Sequence, residues 1–195
     1  AEQGNQYAQY ALGSLFLSGE DVPKDVEAAL KWKGKAVESV PEFGLMLTLP
    51  AEYRNVAYYG MGPGETYSDF TSGAHMGLFG FDAHTALQPY FNPQESGART
   101  GVQAAAVTDA AGFGLCLAGN GFMLSALPYT PHEVENARRQ YELPPKVKTV
   151  VRCAKGQLGV AGDNTWGAGP HAEYHVALEK GETFRFTFGG MGGNG

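Results

Sequence analysis

The chain of 195 residues is short of charge: Asp, Glu, Lys and Arg make up 17% of it, against roughly a quarter in ordinary globular proteins. The charge present leans acidic, with 20 Asp and Glu against 14 Lys and Arg and a formal net charge of −6. No basic block stands ready to neutralise phosphates, which excludes a nucleic-acid or membrane-surface role. No apolar run approaches the ~18 residues of a spanning helix, and the opening AEQGNQYAQY carries no basic-then-apolar signal pattern. Cysteine is also scarce. Cys116 and Cys153 stand far apart, form no CxxC and cannot make a disulfide framework. They read as two small buried apolar residues in a reducing, cytoplasmic setting. The chain has no GxSxG elbow, no HExxH and no GK[ST] phosphate loop, so no cofactor, resident metal or nucleophile is expected.

Glycine, by contrast, is abundant: 28 residues, about twice the usual share, as suits a β-rich domain with many turns. Two stretches of different period meet near residue 40. In residues 1–38 the apolar positions Tyr7, Ala8, Ala11, Leu12, Leu15 and Phe16 recur at helical spacing, with Asn5 to cap the start and Gly19 to end the helix. Val26, Ala29, Leu30 and Ala36 share one face of a second helix. The expectation is a helical hairpin over residues 1–38 that needs a partner surface to be stable.

From Pro41 the period falls to two. FGLMLTL, NVAYYG, VQAAAVT, GFGLCLA, FMLSAL, KVKTVVR, AEYHVAL and ETFRFTF read as short strands between Gly, Pro or Asn turns. TPHEVENARRQY reads as one helix, with Thr130 at the N-cap, Pro131 at the first position and Glu133 closing a capping box. Strands at this spacing with a single helix predict an antiparallel sandwich over residues 39–188. The tail GGMGGNG, residues 189–195, is expected to be flexible and unpacked.

Three stretches could carry function. In GMGPGETYSDF (60–70), glycines around Pro63 allow close backbone approach, and Glu65, Tyr67 and Asp69 read first as acceptors for loop amides. PHAEYH would place His171, Glu173 and His175 on one face of a strand, a spacing open to a metal but more simply a solvent-facing edge. AGDNTWGAGPHAEY (161–174) holds Trp166 between glycines. It is either a turn closed by a packed aromatic or a loop presenting an indole outward.

The ordered set VPEFGLMLTLP (40–50), VAYYGMGPGETYSDFTSGAHMGLF (56–79), PYFNPQESGARTGVQ (89–103) and GVAGDNTWGAGPHAEY (159–174) resembles the C-terminal small-chain region of family-two β-galactosidases. Glu42, Phe70 and Ala161 depart from that pattern, which has arginine, arginine and glycine there. AEQGNQYAQYALGSLFLSGEDVPKDVEAALKW closely resembles one SEL-one-like repeat, a relative of tetratricopeptide repeats.

The small-chain resemblance implies a partial β-supersandwich of the galactose mutarotase-like type, here preceded by the helical hairpin. It also implies a non-catalytic module, since the family's catalytic glutamates lie in a barrel that these residues do not include. Trp166 would then form an apolar platform beside a galactoside, with Asp163 and Asn164 placed to bond its hydroxyls. The partners implied are a carbohydrate and a separate barrel-bearing catalytic chain. Half a sandwich would leave strands unpaired, so self-association is expected. The alternative is a protein-interaction module in which the helical repeat binds and the sandwich supports it.

Overall fold

The structure, a computed structural model, describes residues 25, 39–164, 167–177 and 183–192. Apart from Asp25, the helical hairpin and SEL-one-like repeat read over residues 1–38 lie outside the described residues.

The strands are β1 (Ser39–Val40), β2 (Glu42–Pro50), β3 (Asn55–Gly62), β4 (His75–Asp82), β5 (Ala98–Thr108), β6 (Gly114–Leu127), β7 (Lys148–Gln157), β8 (Val176–Ala177) and β9 (Phe186–Met191). All pair antiparallel. Seven form one sheet in the order β2-β7-β6-β5-β3-β4, with β9 attached to β6, while β1 and β8 make a separate two-stranded ribbon. β9 pairs with Gly114–Gly119 of β6 and β7 with Met123–Leu127. The break between them falls at Asn120, Gly121 and Phe122, where Gly121 has a φ of 76°, a conformation that side chains with a Cβ resist.

Burial follows the period of two. In β3, Val56, Tyr58, Gly60 and Gly62 are buried while Asn55, Ala57 and Tyr59 face out. Their inward partners include Val107, Leu117, Phe122, Leu124, Val151 and Cys153, with Leu47, Leu49, Phe79 and Phe81 packed against them. Each fully buried large apolar side chain contributes about 1.5–3 kcal/mol by area, so this cluster holds the strands of the sheet together. Arg99 is buried in the same layer. Its Nε donates to Tyr58 Oη at 3.1 Å and its guanidinium lies 4.8 Å over the Phe81 ring, so aromatic faces and a hydroxyl shelter the charge.

The mainly β, antiparallel reading stands, and the details shift. Among the described residues there is one large sheet and a small ribbon, in place of two facing sheets of a sandwich. GFGLCLA and FMLSAL are one strand, β6, bent at its glycines. β4 escaped the strand pattern because Gly77 and Gly80 read as turn residues. Gly77 sits opposite Gly60, and a Cβ on it would lie 2.7 Å from the Phe79 ring. The tail is not wholly unpacked, since Gly189, Gly190 and Met191 complete β9 against β6. The cysteines also part company: Cys153 is buried, but Cys116 is exposed and both are free.

The helix does form, as α1 (Pro131–Asn136). Thr130 Oγ1 accepts from the Glu133 amide at 3.2 Å, and Glu133 Oε2 accepts from the Thr130 amide at 2.7 Å. It stops well before Tyr141, with Ala137 already extended.

Candidate functional site

The face of the sheet turned away from the core is covered at one end, where β2, β7, the second half of β6 and the start of β5 meet. The cover is the GPGETYSD loop and the PQESG loop, and a second cluster of Tyr67, Ala98, Met123 and Ala154 packs beneath it.

An ion cluster around one buried arginine ties these loops to the sheet. Arg152 stands in the apolar run TVVRCA of β7 and is 4% exposed. Its Nη1 donates to Glu42 Oε2 at 2.7 Å and its Nη2 donates to Glu95 Oε1 at 2.5 Å. Tyr67 Oη donates to that same Glu95 oxygen at 3.2 Å. Burial opposes the charge on Arg152, but Glu95 and Glu42 more than offset it and hold the guanidinium protonated. Burial pushes the Glu42 carboxyl above its usual range; Arg152 pulls it down, less strongly, while Glu95 adds to the rise. One cation thus serves two acids, and Glu95 takes the larger share.

The flanking motif residues bond amides, as the first reading of that loop expects. Glu65 Oε2 accepts from the Gly97 amide at 2.7 Å, and Glu65 Oε1 accepts from Tyr90 Oη at 3.3 Å. The Thr66 amide donates to Ala98 O at 2.9 Å, and Thr66 Oγ1 accepts from the Thr100 amide at 2.8 Å. These bonds stitch the loop along the start of β5. Between the two loops lies a cavity of about 360 Å³ bordered by Phe70, Tyr90, Gln94 and Val160. Phe70, in the place of the resembled family's arginine, stands half exposed at its rim.

Asp69 reaches the tryptophan loop. Its Oδ2 accepts from the Ala161 amide at 2.7 Å, and a Cβ on Gly159 would lie 2.3 Å from that oxygen. Only glycine allows this approach. Further along, a Cβ on Gly162 would meet Ala168 O at 2.0 Å, so the two legs of the loop touch. His171 Nε2 lies 2.9 Å from Asp163 Oδ1 across the same neck. Asp163, although it makes that contact, and Asn164 are both exposed. Trp166, read as a platform residue, lies outside the described residues.

The strand reading of PHAEYH is corrected. Ala172–Tyr174 is a 3-10 turn, so His171, Glu173 and His175 do not share a strand face. His171 is engaged with Asp163, and His175 Nε2 lies 3.2 Å from Pro170 O. Among the described residues no three His, Cys, Asp or Glu side chains gather as metal ligands.

Arg152, Glu42 and Glu95 were not singled out as a group from the sequence. The available signal was a lone arginine inside an apolar strand, which requires acids nearby. Glu42 and Glu95 are far apart in the chain and meet only through the sheet.

The residues therefore define a class: an antiparallel β module whose half-buried acids brace loops against the sheet. Its lineage is plain. The chain belongs to the β-galactosidase small chain family, whose sequence profile matches residues 15–189. That match begins inside the segment read as a separate hairpin. A β-galactosidase of Halalkalibacterium halodurans is 39% identical over 157 residues, 80% of this chain and 15% of that protein. One of Priestia megaterium is 33% identical over 179 residues, 91% of this chain and 17% of that protein. A β-galactosidase small subunit of Latilactobacillus sakei is 28% identical over 174 residues, 83% of this chain and 54% of that subunit. The chain thus spans well under a fifth of the full-length β-galactosidases it matches. Among the described residues no helix is long and apolar enough to cross a membrane.

Proposed function

We propose that the chain is a non-catalytic module of a β-galactosidase, of supersandwich type when complete, that presents residues 163–166 to a galactoside held by a separate catalytic chain. Trp166 is the apolar platform for the pyranose C–H face, and Asp163 and Asn164 bond its hydroxyls. The observation that carries this reading is the clamp beneath the loop. Asp69 on the Ala161 amide and the Gly162–Ala168 contact fix both legs, while Asp163 and Asn164 stay exposed at the tip. A loop with so tight a base and so open a tip is suited to presenting side chains, because its ordering entropy is already met at the neck. That the L. sakei protein is described as a small subunit supports a reading in which a larger chain supplies the chemistry.

A sugar resting on the indole is worth about 1–3 kcal/mol by apolar area, less the ordering cost, so binding by the chain alone is weak. Galactose titration followed by tryptophan fluorescence is expected to give a saturable change that Trp166→Ala abolishes, with Trp32 as a constant background. An unchanged titration curve in Trp166→Ala would sink the platform role. Hydrolysis of a nitrophenyl β-galactoside by the purified chain at ordinary turnover would sink the non-catalytic one.

A further inference from the structure

The cavity between the GPGETYSD and PQESG loops is lined in a way that bracing the loops does not require. It measures about 360 Å³, and Phe70 and Tyr90 on its walls are 51% and 41% exposed. Tyr67 adds a third aromatic wall, and Glu65 and Glu95 bring carboxylates. Among the described residues that line it, none is basic. The negative charge is only partly answered from nearby. Arg152 is divided between Glu95 and Glu42. Arg139, which reaches Asn92, is turned onto the Phe91 ring. Glu65 is held by two neutral donors, the Gly97 amide at 2.7 Å and Tyr90 Oη at 3.3 Å. The wall hydroxyls feel the surplus. Burial pushes the Tyr67 phenol upward and Glu95 and Glu65 push it further, while burial and then Glu65 do the same at Tyr90.

A hollow with aromatic faces and an unmatched carboxylate suits a cation that is flat and weakly hydrated. A guanidinium meets both demands, since it stacks on a ring and presents a fork of N–H donors to a carboxylate; a compact ammonium holds its water more tightly. The chain shelters its own guanidinium groups in this manner, Arg99 at 4.8 Å over Phe81 and Arg139 at 4.2 Å over Phe91. A neutral sugar would leave the Glu65 charge unanswered. We infer that this cavity is a binding site for a guanidinium group, with Phe70 and Tyr90 as its aromatic faces and Glu65 as its carboxylate. The group comes from a free organic cation or from an arginine side chain of a partner protein, and the recognising chemistry is the same for both. The inference does not rest on the sugar reading of Trp166.

The test is a titration of the full chain with L-argininamide, followed through the amide resonances of Tyr90 and Gly97. Saturable shifts are expected, with n-butylammonium binding more weakly and uncharged n-butylurea not at all. Phe70→Leu keeps an apolar rim without a π face and should weaken argininamide roughly two- to fivefold. Phe70→Arg leaves Glu65 and its bonds in place but puts a guanidinium on the rim, and should weaken binding by a factor of about ten or more. Glu65→Gln should do likewise; because it also touches the loop's own bonds, Phe70→Arg carries the decision. The absence of saturable shifts overturns the inference, as does equal binding by butylurea or an affinity unchanged in Phe70→Arg. Displacement of argininamide by galactose also overturns it, whereas Trp166→Ala should leave the titration as it was, so that this site and the sugar reading stand or fall separately. A capped Gly-Arg-Gly peptide separates the two sources. Affinity at least equal to that of argininamide supports a partner's arginine side chain, and loss of binding by the peptide alone supports a free cation.

Discussion

The two ends of one sheet face solve the same problem differently. At the β2-β7 end, the outward residues Arg152, Ser125 and Ala98 lie in register beneath loops that bring Glu95, Tyr67 and Glu65 to meet them. At the β4-β9 end the outward register positions are mostly alanine and glycine, with Leu78, Tyr59, Cys116 and Thr187 among them, and none is charged. The covered end is specified by charge: Arg152 cannot be buried without its acids, so the loops that carry them are fixed in place. The bare end is specified by size, with small residues that leave room and supply no partner. One end is covered by residues 62–97 of the chain itself, and the other is left bare by the described residues.

The comparison predicts the largest effect at Arg152. Replacing it by Met leaves Glu42 and Glu95 facing each other without a cation, a loss of about 3–5 kcal/mol for breaking a buried pair, measurable by urea unfolding. Adding Glu42→Gln and Glu95→Gln to that variant should restore most of the loss, because the uncompensated charge is then gone. A cost below about 1 kcal/mol for Arg152→Met would mean that the loops are held by packing alone.

Next in size is the clamp. Gly159→Ala forces a methyl against the Asp69 carboxylate, an overpacking cost of about 1–3 kcal/mol. Faster amide exchange at Ala161, whose bond to Asp69 would be pushed apart, should accompany it. If exchange there is unchanged, the Asp69 contact does not hold the loop. Smaller again is Tyr67→Phe. It removes the hydroxyl that donates to Glu95 and accepts, at 3.5 Å, from the Ala98 amide, at a cost of about 1 kcal/mol. Equal stability would show that Arg152 alone satisfies Glu95.

Legibility in the sequence divides along the same line. The alternation in NVAYYG and the capping box at Thr130 and Glu133 are local patterns, and both structures form where they point. The amide-bonding role of Glu65 and Asp69 was also readable, because acids within a glycine-rich turn have few other uses. What escaped was non-local. Glu42, Glu95 and Arg152 meet only after β2 and β7 pair and the PQESG loop folds over them. β4 escaped because Gly77 and Gly80 carry no side-chain signal, their role being to make room opposite Gly60 and Ala57. In the same way the bare end could not be read, since Ala57, Ala104, Ala106 and Ala118, spread over three strands, share one face only in register. The tryptophan loop is intermediate. Its glycines announce a tight base, and the structure supplies the reasons at Gly159 and Gly162, but the direction in which Trp166 points belongs to its own experiment.

The smallest expected effect is the one that most sharpens the contrast. Leu78, on the outward face of β4, is 79% exposed, so Leu78→Lys removes little packing from the isolated chain. Its unfolding free energy should change by no more than about 0.5 kcal/mol, as for surface substitutions generally. β4 is an edge strand, and lysine there also discourages edge-to-edge pairing, so solubility should hold or improve. A loss of 2 kcal/mol or more in dilute protein would show that Leu78 is already buried against something, and the two ends would cease to differ. With stability unchanged, the contrast becomes quantitative: several kcal/mol ride on a charged side chain at one end and almost none on an apolar one at the other. That asymmetry is what a sheet face held by charge at one end, and left open by the described residues at the other, has to show.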